Sequence, residues 1–137
     1  VAFIHGSKAK FGLGTAGTPT VIVDRSPFIM NIQFPQTSDT AETSTLGNLF
    51  KTYVPGLTDS TVSIDGRYDP TLDAVLFALM GTASVNFQYD PQGSTTGLIR
   101  FTGSAVPTSY QVTAGIGDVS SWTFAMQCTS AIVRATI

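Results

Sequence analysis

The run D-S-T-V-S-I-D-G-R-Y-D-P-T-L-D-A-V-L-F-A-L-M-G, Asp59–Gly81, holds two hydrophobic periods in succession. Val62, Ile64, Gly66 and Tyr68 alternate with Thr61, Ser63, Asp65 and Arg67, the period of a strand with one buried face. After Tyr68 the period lengthens. Leu72, Val75, Leu76, Leu79 and Met80 fall on one side of a helix over about 70–80. Asp69 can cap that helix, Pro70 suits its first position, and Gly81 can end it. Asp73 favours the positive end of the helix dipole. The pattern predicts a helix that covers one side of a sheet.

Outward from this run, alternation predicts more strands. Phe28, Met30, Ile32 and Phe34 alternate with Ile29, Asn31 and Gln33. Val85, Phe87 and Tyr89 alternate with Ser84, Asn86, Gln88 and Asp90. Ile99 and Phe101 oppose Arg100 and Thr102, and Tyr110, Val112, Ala114 and Ile116 oppose Gln111 and Thr113. Trp122, Phe124, Met126 and Cys128 oppose Thr123, Ala125, Gln127 and Thr129, with a bulge or strand end near Ser130. One apolar and one polar face per strand is the mark of antiparallel sheets. Pro55-Gly56 suits a type II turn, and the glycine-rich run from Gly12 to Thr18 reads as a flexible loop. The expected fold is mainly β: one antiparallel sandwich or barrel domain over 1–137 with one flanking helix.

The segment over about 36–58 has no regular period. Leu46, Leu49, Phe50, Tyr53, Val54 and Leu57 are scattered among hydroxyl-bearing residues. Long loops of this kind are commonly functional, and these side chains need a surface to pack on. Composition points the same way. Charged residues make up 12% of the 137, against roughly 25% in typical soluble domains. There are three Lys and one Glu, against 20 Thr and 13 Ser. Such a surface fits burial against copies of the same chain, or a hydroxyl-rich β module.

Several classes of function find no support. A net charge of −2 supplies no basic field for retaining nucleic acid. No apolar run reaches membrane-spanning length, so no membrane insertion by this chain is expected. One Cys and one His cannot make a usual zinc site, and no cofactor motif is present. No G-x-S-x-G elbow accompanies His5, so no enzyme is expected. Cys128 shares a face with Trp122, Phe124 and Met126, which predicts a buried, inert thiol.

The run Glu42-Thr43-Ser44-Thr45-Leu46-Gly47-Asn48-Leu49-Phe50-Lys51-Thr52-Tyr53-Val54-Pro55-Gly56-Leu57 resembles the loop of major tail tube proteins of long-tailed, siphovirus-type bacteriophages. The strand from Asp59 to Tyr68, then Asp69-Pro70 and the helix, follow in the order of that family. The similarity covers about 40 residues and lies in the order of elements rather than in one motif. It implies a sandwich-like protomer, six of which form a ring with one continuous inner β-barrel. Rings stack into a tube that carries double-stranded DNA without specific binding. It also implies a virion location, assembly in the cytoplasm of the bacterial host, and contacts with a tape measure protein and tail-end proteins.

On this reading Glu42, Leu46, Leu49, Phe50, Lys51, Tyr53 and Pro55 form an assembly loop. Asn31, Gln33, Ser63, Asp65, Arg67, Asn86 and Gln88 are candidates for a weakly binding lumen wall. Asp65 and Arg67, on one strand face, are expected to pair. Alternation alone leaves open which polar face lines a lumen and which meets solvent or a neighbour. Other readings remain: a monomeric carbohydrate-binding or adhesin-like sandwich, another tail component such as a tail terminator or distal tail protein, and a small hydrolase using His5.

Overall fold

A computed structural model describes residues 5–14, 22–81 and 84–137. The chain is mainly β. Its strands are β1 (Lys10–Gly14), β2 (Ile22–Asp24), β3 (Asn31–Gln33), β4 (Gln36–Glu42) and β5 (Tyr53–Arg67), then β6 (Val85–Asp90), β7 (Ile99–Thr113), β8 (Ser121–Cys128) and β9 (Val133–Thr136). One helix, α1 (Pro70–Leu79), lies between β5 and β6. The sheet runs β2-β1-β6-β7-β8-β5-β3, with β4 on β5 and β9 on β7. Every pairing is antiparallel.

The predicted alternation on β5 sets the core. Val62, Ile64 and Gly66 stand opposite Met126, Phe124 and Trp122 of β8. These side chains join Leu72, Leu76 and Leu79 of α1 in one buried cluster. Gly66 has to be glycine. A Cβ there would lie 2.0 Å from the Phe28 carbonyl oxygen. The helix begins as predicted, with Asp69 Oδ1 accepting from the Thr71 amide at 2.8 Å and the Leu72 amide at 3.4 Å. Gly81 follows the C-cap with a left-handed φ of 87°.

The sheet folds over on itself. Phe34, just after β3, has ring centroids 5.8 Å from Phe87 and 5.7 Å from Phe101. Along the sheet, β3 and β6 are separated by β5, β8 and β7. Their contact therefore closes a two-layer sandwich with aromatic side chains between the layers.

Five expectations need correction. The strand expected over 28–34 is shorter. Pro27 nucleates a 3-10 turn over Ser26–Phe28, and Met30 is 60% exposed. Asp90, expected on a polar face, is 1% exposed. Arg100 forks onto it, Nε to Oδ1 at 2.7 Å and Nη2 to Oδ2 at 2.9 Å, and this bidentate contact allows the burial. Pro55-Gly56 is not a turn but lies inside β5, with Gly56 packed against Asp39. The strand through Tyr110 ends at Thr113, and Ile116 sits exposed in the turn to β8. Of the expected flexible loop from Gly12, the first residues belong to β1, and 15–21 lie outside the described residues.

Candidate assembly arm and polar sheet face

The segment read as an irregular loop is a β-hairpin arm. β4 pairs with the first half of β5 from Gln36↔Ser60 to Glu42↔Tyr53. β3 and β4 keep one register on β5. Gln33 faces Ser63 and Gln36 faces Ser60, so the interruption at Phe34-Pro35 neither adds nor drops a residue. The single shift comes between Ser38 and Thr40, where Gly56 and Leu57 face Asp39 alone in a bulge.

Hydroxyl groups hold the tip. The Thr43 amide donates to the Thr52 carbonyl at 2.7 Å, the two threonine hydroxyls meet at 2.9 Å, and the Thr52 amide donates to Ser44 Oγ at 2.8 Å. Gly47 turns the chain with a φ of 99°. At the base, the Ser60 hydroxyl donates to the Pro35 carbonyl at 3.1 Å, and the Gln127 amide of β8 donates to the Asp59 carboxylate.

All seven predicted arm residues are exposed. Glu42 ends β4 opposite Tyr53, and Pro55 faces Thr40. Leu46, Leu49, Phe50 and Lys51 form the tip; Leu46 and Leu49 project fully into solvent and Phe50 is 84% exposed. Val54, 46% exposed, and Leu57, 82% exposed, are further apolar residues bared on the arm. The arm thus carries six of the thirteen large apolar residues exposed on the described chain. Burial of such groups is worth about 1.5–3 kcal/mol each, so the arm holds a large unused driving force for association.

The polar face of the sheet is continuous across four strands. Asn31 faces Asp65, Asp65 faces Thr123, and Thr123 faces Gln111. Gln33, Ser63, Ala125 and Ser109 form the next row, and Arg67, Ser121 and Thr113 another. Five of the seven predicted wall residues are therefore together. Asn86 and Gln88 are apart from them, on β6 beside Ser104 and Thr102. Because Phe34 meets Phe87 across the sandwich, the β6 polar face looks away from the β5 polar face. Thr123, Gln111, Ser121 and Thr113 complete the face. Their alternation was visible in the sequence, but only strand order shows that they adjoin Asp65. Asp65 and Arg67 form no ion pair, since the one salt bridge among the described residues is Arg100–Asp90. One carboxylate oxygen of Asp65 is instead buried without a hydrogen-bond partner.

This four-strand panel has two free edges. β6 follows β7 only as far as Ala105, which leaves one side of 106–113 open. β3 has β5 on one side only. Neither edge carries a charged residue, although charge is a usual protection against edge-to-edge pairing.

The residues that could carry chemistry make local or core contacts. His5 Nδ1 lies 2.8 Å from Ser7 Oγ and accepts from the Ser7 amide, a local contact that caps a 3-10 turn. Cys128, expected to be buried, is half-buried, and that burial pushes its thiol up and favours the protonated form. Trp122 is buried and Tyr110 packs edge-on against Phe124, so neither presents a flat platform for sugar. Among the described residues no His, Cys, Asp and Glu group could hold a metal ion, and no helix is long and apolar enough to cross a membrane.

No protein-family model matches the chain, and no curated protein matches it in sequence. Solved structures do match it. A chain of the tail of an empty gene transfer agent particle, with C6 symmetry, superposes with a TM-score of 0.75 at 13% identity, covering 97% of this chain and 99% of that one. The SPP1 tail tube gives 0.74 at 11% identity, over 98% and 80%. A sheath–tube complex of an extracellular contractile injection system gives 0.67 at 14% identity, over 98% and 93%. At these identities the likeness is one of fold, and over almost its whole length the chain has the fold seen in these tail structures.

Proposed function

We propose that this chain is a structural tail tube protomer that assembles as hexameric rings stacked into a conduit for DNA. The observation that carries this reading is the pairing of two unmet needs on one tail-type fold: an arm of exposed apolar side chains and a panel with two uncharged open edges. Edge-to-edge pairing of panels closes a ring, and end-to-end contact through the arm extends a stack. Closing and non-closing interfaces are both of the head-to-tail kind.

The panel face with Asn31, Gln33, Ser63, Asp65 and Arg67 lines the lumen on this reading, joined by Thr123 and Gln111. Its amides and hydroxyls offer DNA few phosphate clamps, which suits passage rather than retention. Asn86 and Gln88 belong to the outer layer. The protein acts in a virion tail, assembles in the host cytoplasm, and meets a tape measure protein inside the tube and tail-end proteins at its ends. Electron microscopy of the purified protein tests this. Rings or tubes about six subunits around are expected; a monomer at every concentration overturns the proposal. Rings that never stack would point instead to a terminator or distal tail component.

A further inference from the structure

The sandwich has an unfilled mouth. A cleft of about 1050 Å³ opens between β3 and the β6–β7–β9 edge, with Met30, Ile32, Tyr89 and Phe101 among its apolar lining. Among the described residues its charged lining is Lys10 and Arg134, both basic. Binding sites for compact ligands span roughly 300–1000 Å³, so the cleft can accept a folded peptide tip.

We infer that this cleft receives the arm tip of a second copy of this chain, Leu46, Leu49 and Phe50 entering between Met30 and Phe101. The inference rests on the tube reading above and names the surface that the arm meets. Two observations favour a second copy. Pairing with β5 directs a chain's own arm away from its body; seven exposed β5 residues project from Tyr53 to Asp59, a reach of roughly 20–23 Å. The β3 wall of the cleft lies opposite Ile64 and Asp65, toward the end of β5 remote from the arm. Copies stacked with one polarity bring an arm to that remote end.

A cross-linking experiment tests this. In a Cys128→Ser background, Leu49→Cys is combined with Met30→Cys and polymerised protein is treated with a short bismaleimide. A ladder of linked chains is expected, and no ladder when Leu49→Cys is combined with Ala74→Cys on the outer side of α1. Normal tubes without a ladder, or equal ladders from both pairs, overturn the inference and leave the tube reading standing. If the variant does not polymerise, hydrogen exchange on the unmodified protein decides. Exchange at 30–32 and 99–101 slows together with 44–50 on assembly if the cleft is filled by the arm. Protection of the arm with no further slowing at the cleft overturns the inference. Failure of unmodified protein to polymerise at all defeats the tube reading, and this inference with it.

Discussion

Arg100 on β7 grips Asp90 at the end of β6 with two hydrogen bonds, Nε at 2.7 Å and Nη2 at 2.9 Å, and the carboxylate is 1% exposed. Taking away one member of such a pair strands a charge in the interior. Arg100→Ala is expected to cost about 3–5 kcal/mol, read by urea unfolding. Arg100→Met with Asp90→Asn removes both charges and should cost clearly less. Equal losses from the two would mean that packing of the arginine stem, not charge, dominates.

Tyr110 couples the sheet to the helix in a pH-dependent way. Its hydroxyl donates to Asp73 of α1 at 2.5 Å. Burial, then this hydrogen bond and the negative charge of Asp73, push its phenol above the ordinary 10.0. The native state therefore keeps a proton that the unfolded chain has lost. Stability is full below about pH 10 and declines as pH rises above it. Tyr110→Phe should lower stability at neutral pH by about 0.5–1.5 kcal/mol and flatten the alkaline decline. Some decline should persist, since burial raises Tyr89 as well. An alkaline slope unchanged in Tyr110→Phe would contradict this assignment.

At Gly66 the hydrogen atom in place of a Cβ leaves room for the Phe28 carbonyl, whose oxygen would be 2.0 Å from any Cβ. The obstacle is backbone and cannot swing aside. Gly66→Ala is expected to destabilise by about 1–3 kcal/mol or more, seen as a lower thermal midpoint. Gly6→Ala, with nothing within 4 Å of its Cβ, serves as the control and should leave the midpoint unchanged.

Leu49 and Phe50 separate assembly from folding. Both are exposed in the protomer, so Leu49→Ser with Phe50→Ser should change its stability by no more than about 0.5 kcal/mol. The same pair should abolish or greatly weaken polymerisation, measured by sedimentation. Deleting 43–52 should act likewise. Tubes of normal length from either variant would remove the tip from assembly.

The sequence disclosed the core better than the edges of the structure. Val62, Ile64, Phe124 and Trp122 alternate because one face is dry, and α1 was legible from Asp69 through Gly81 for the same reason. The arm was not legible as a hairpin. Both of its faces are wet, so its apolar residues have no period, and Pro55-Gly56 mimics a turn. Asp90 was misread because its burial depends on Arg100, which is near only after β6 and β7 pair. The wall residues were readable strand by strand, yet their division between β5 and β6 required the closure by Phe34, a contact no local pattern encodes.

β3 and β4 share one register on β5 as far as Ser38, and β4 keeps one register again from Thr40 to Glu42, so on either side of the Asp39 bulge the arm is a gauge graduated in residue pairs. Two residues added to each arm strand would lengthen it by roughly 7 Å and leave every side chain on its original face. A single residue added to each would turn Leu57 and Tyr53 over together. Away from a bulge, arm length therefore changes in two-residue steps, and the spacing between whatever surfaces it connects inherits that step.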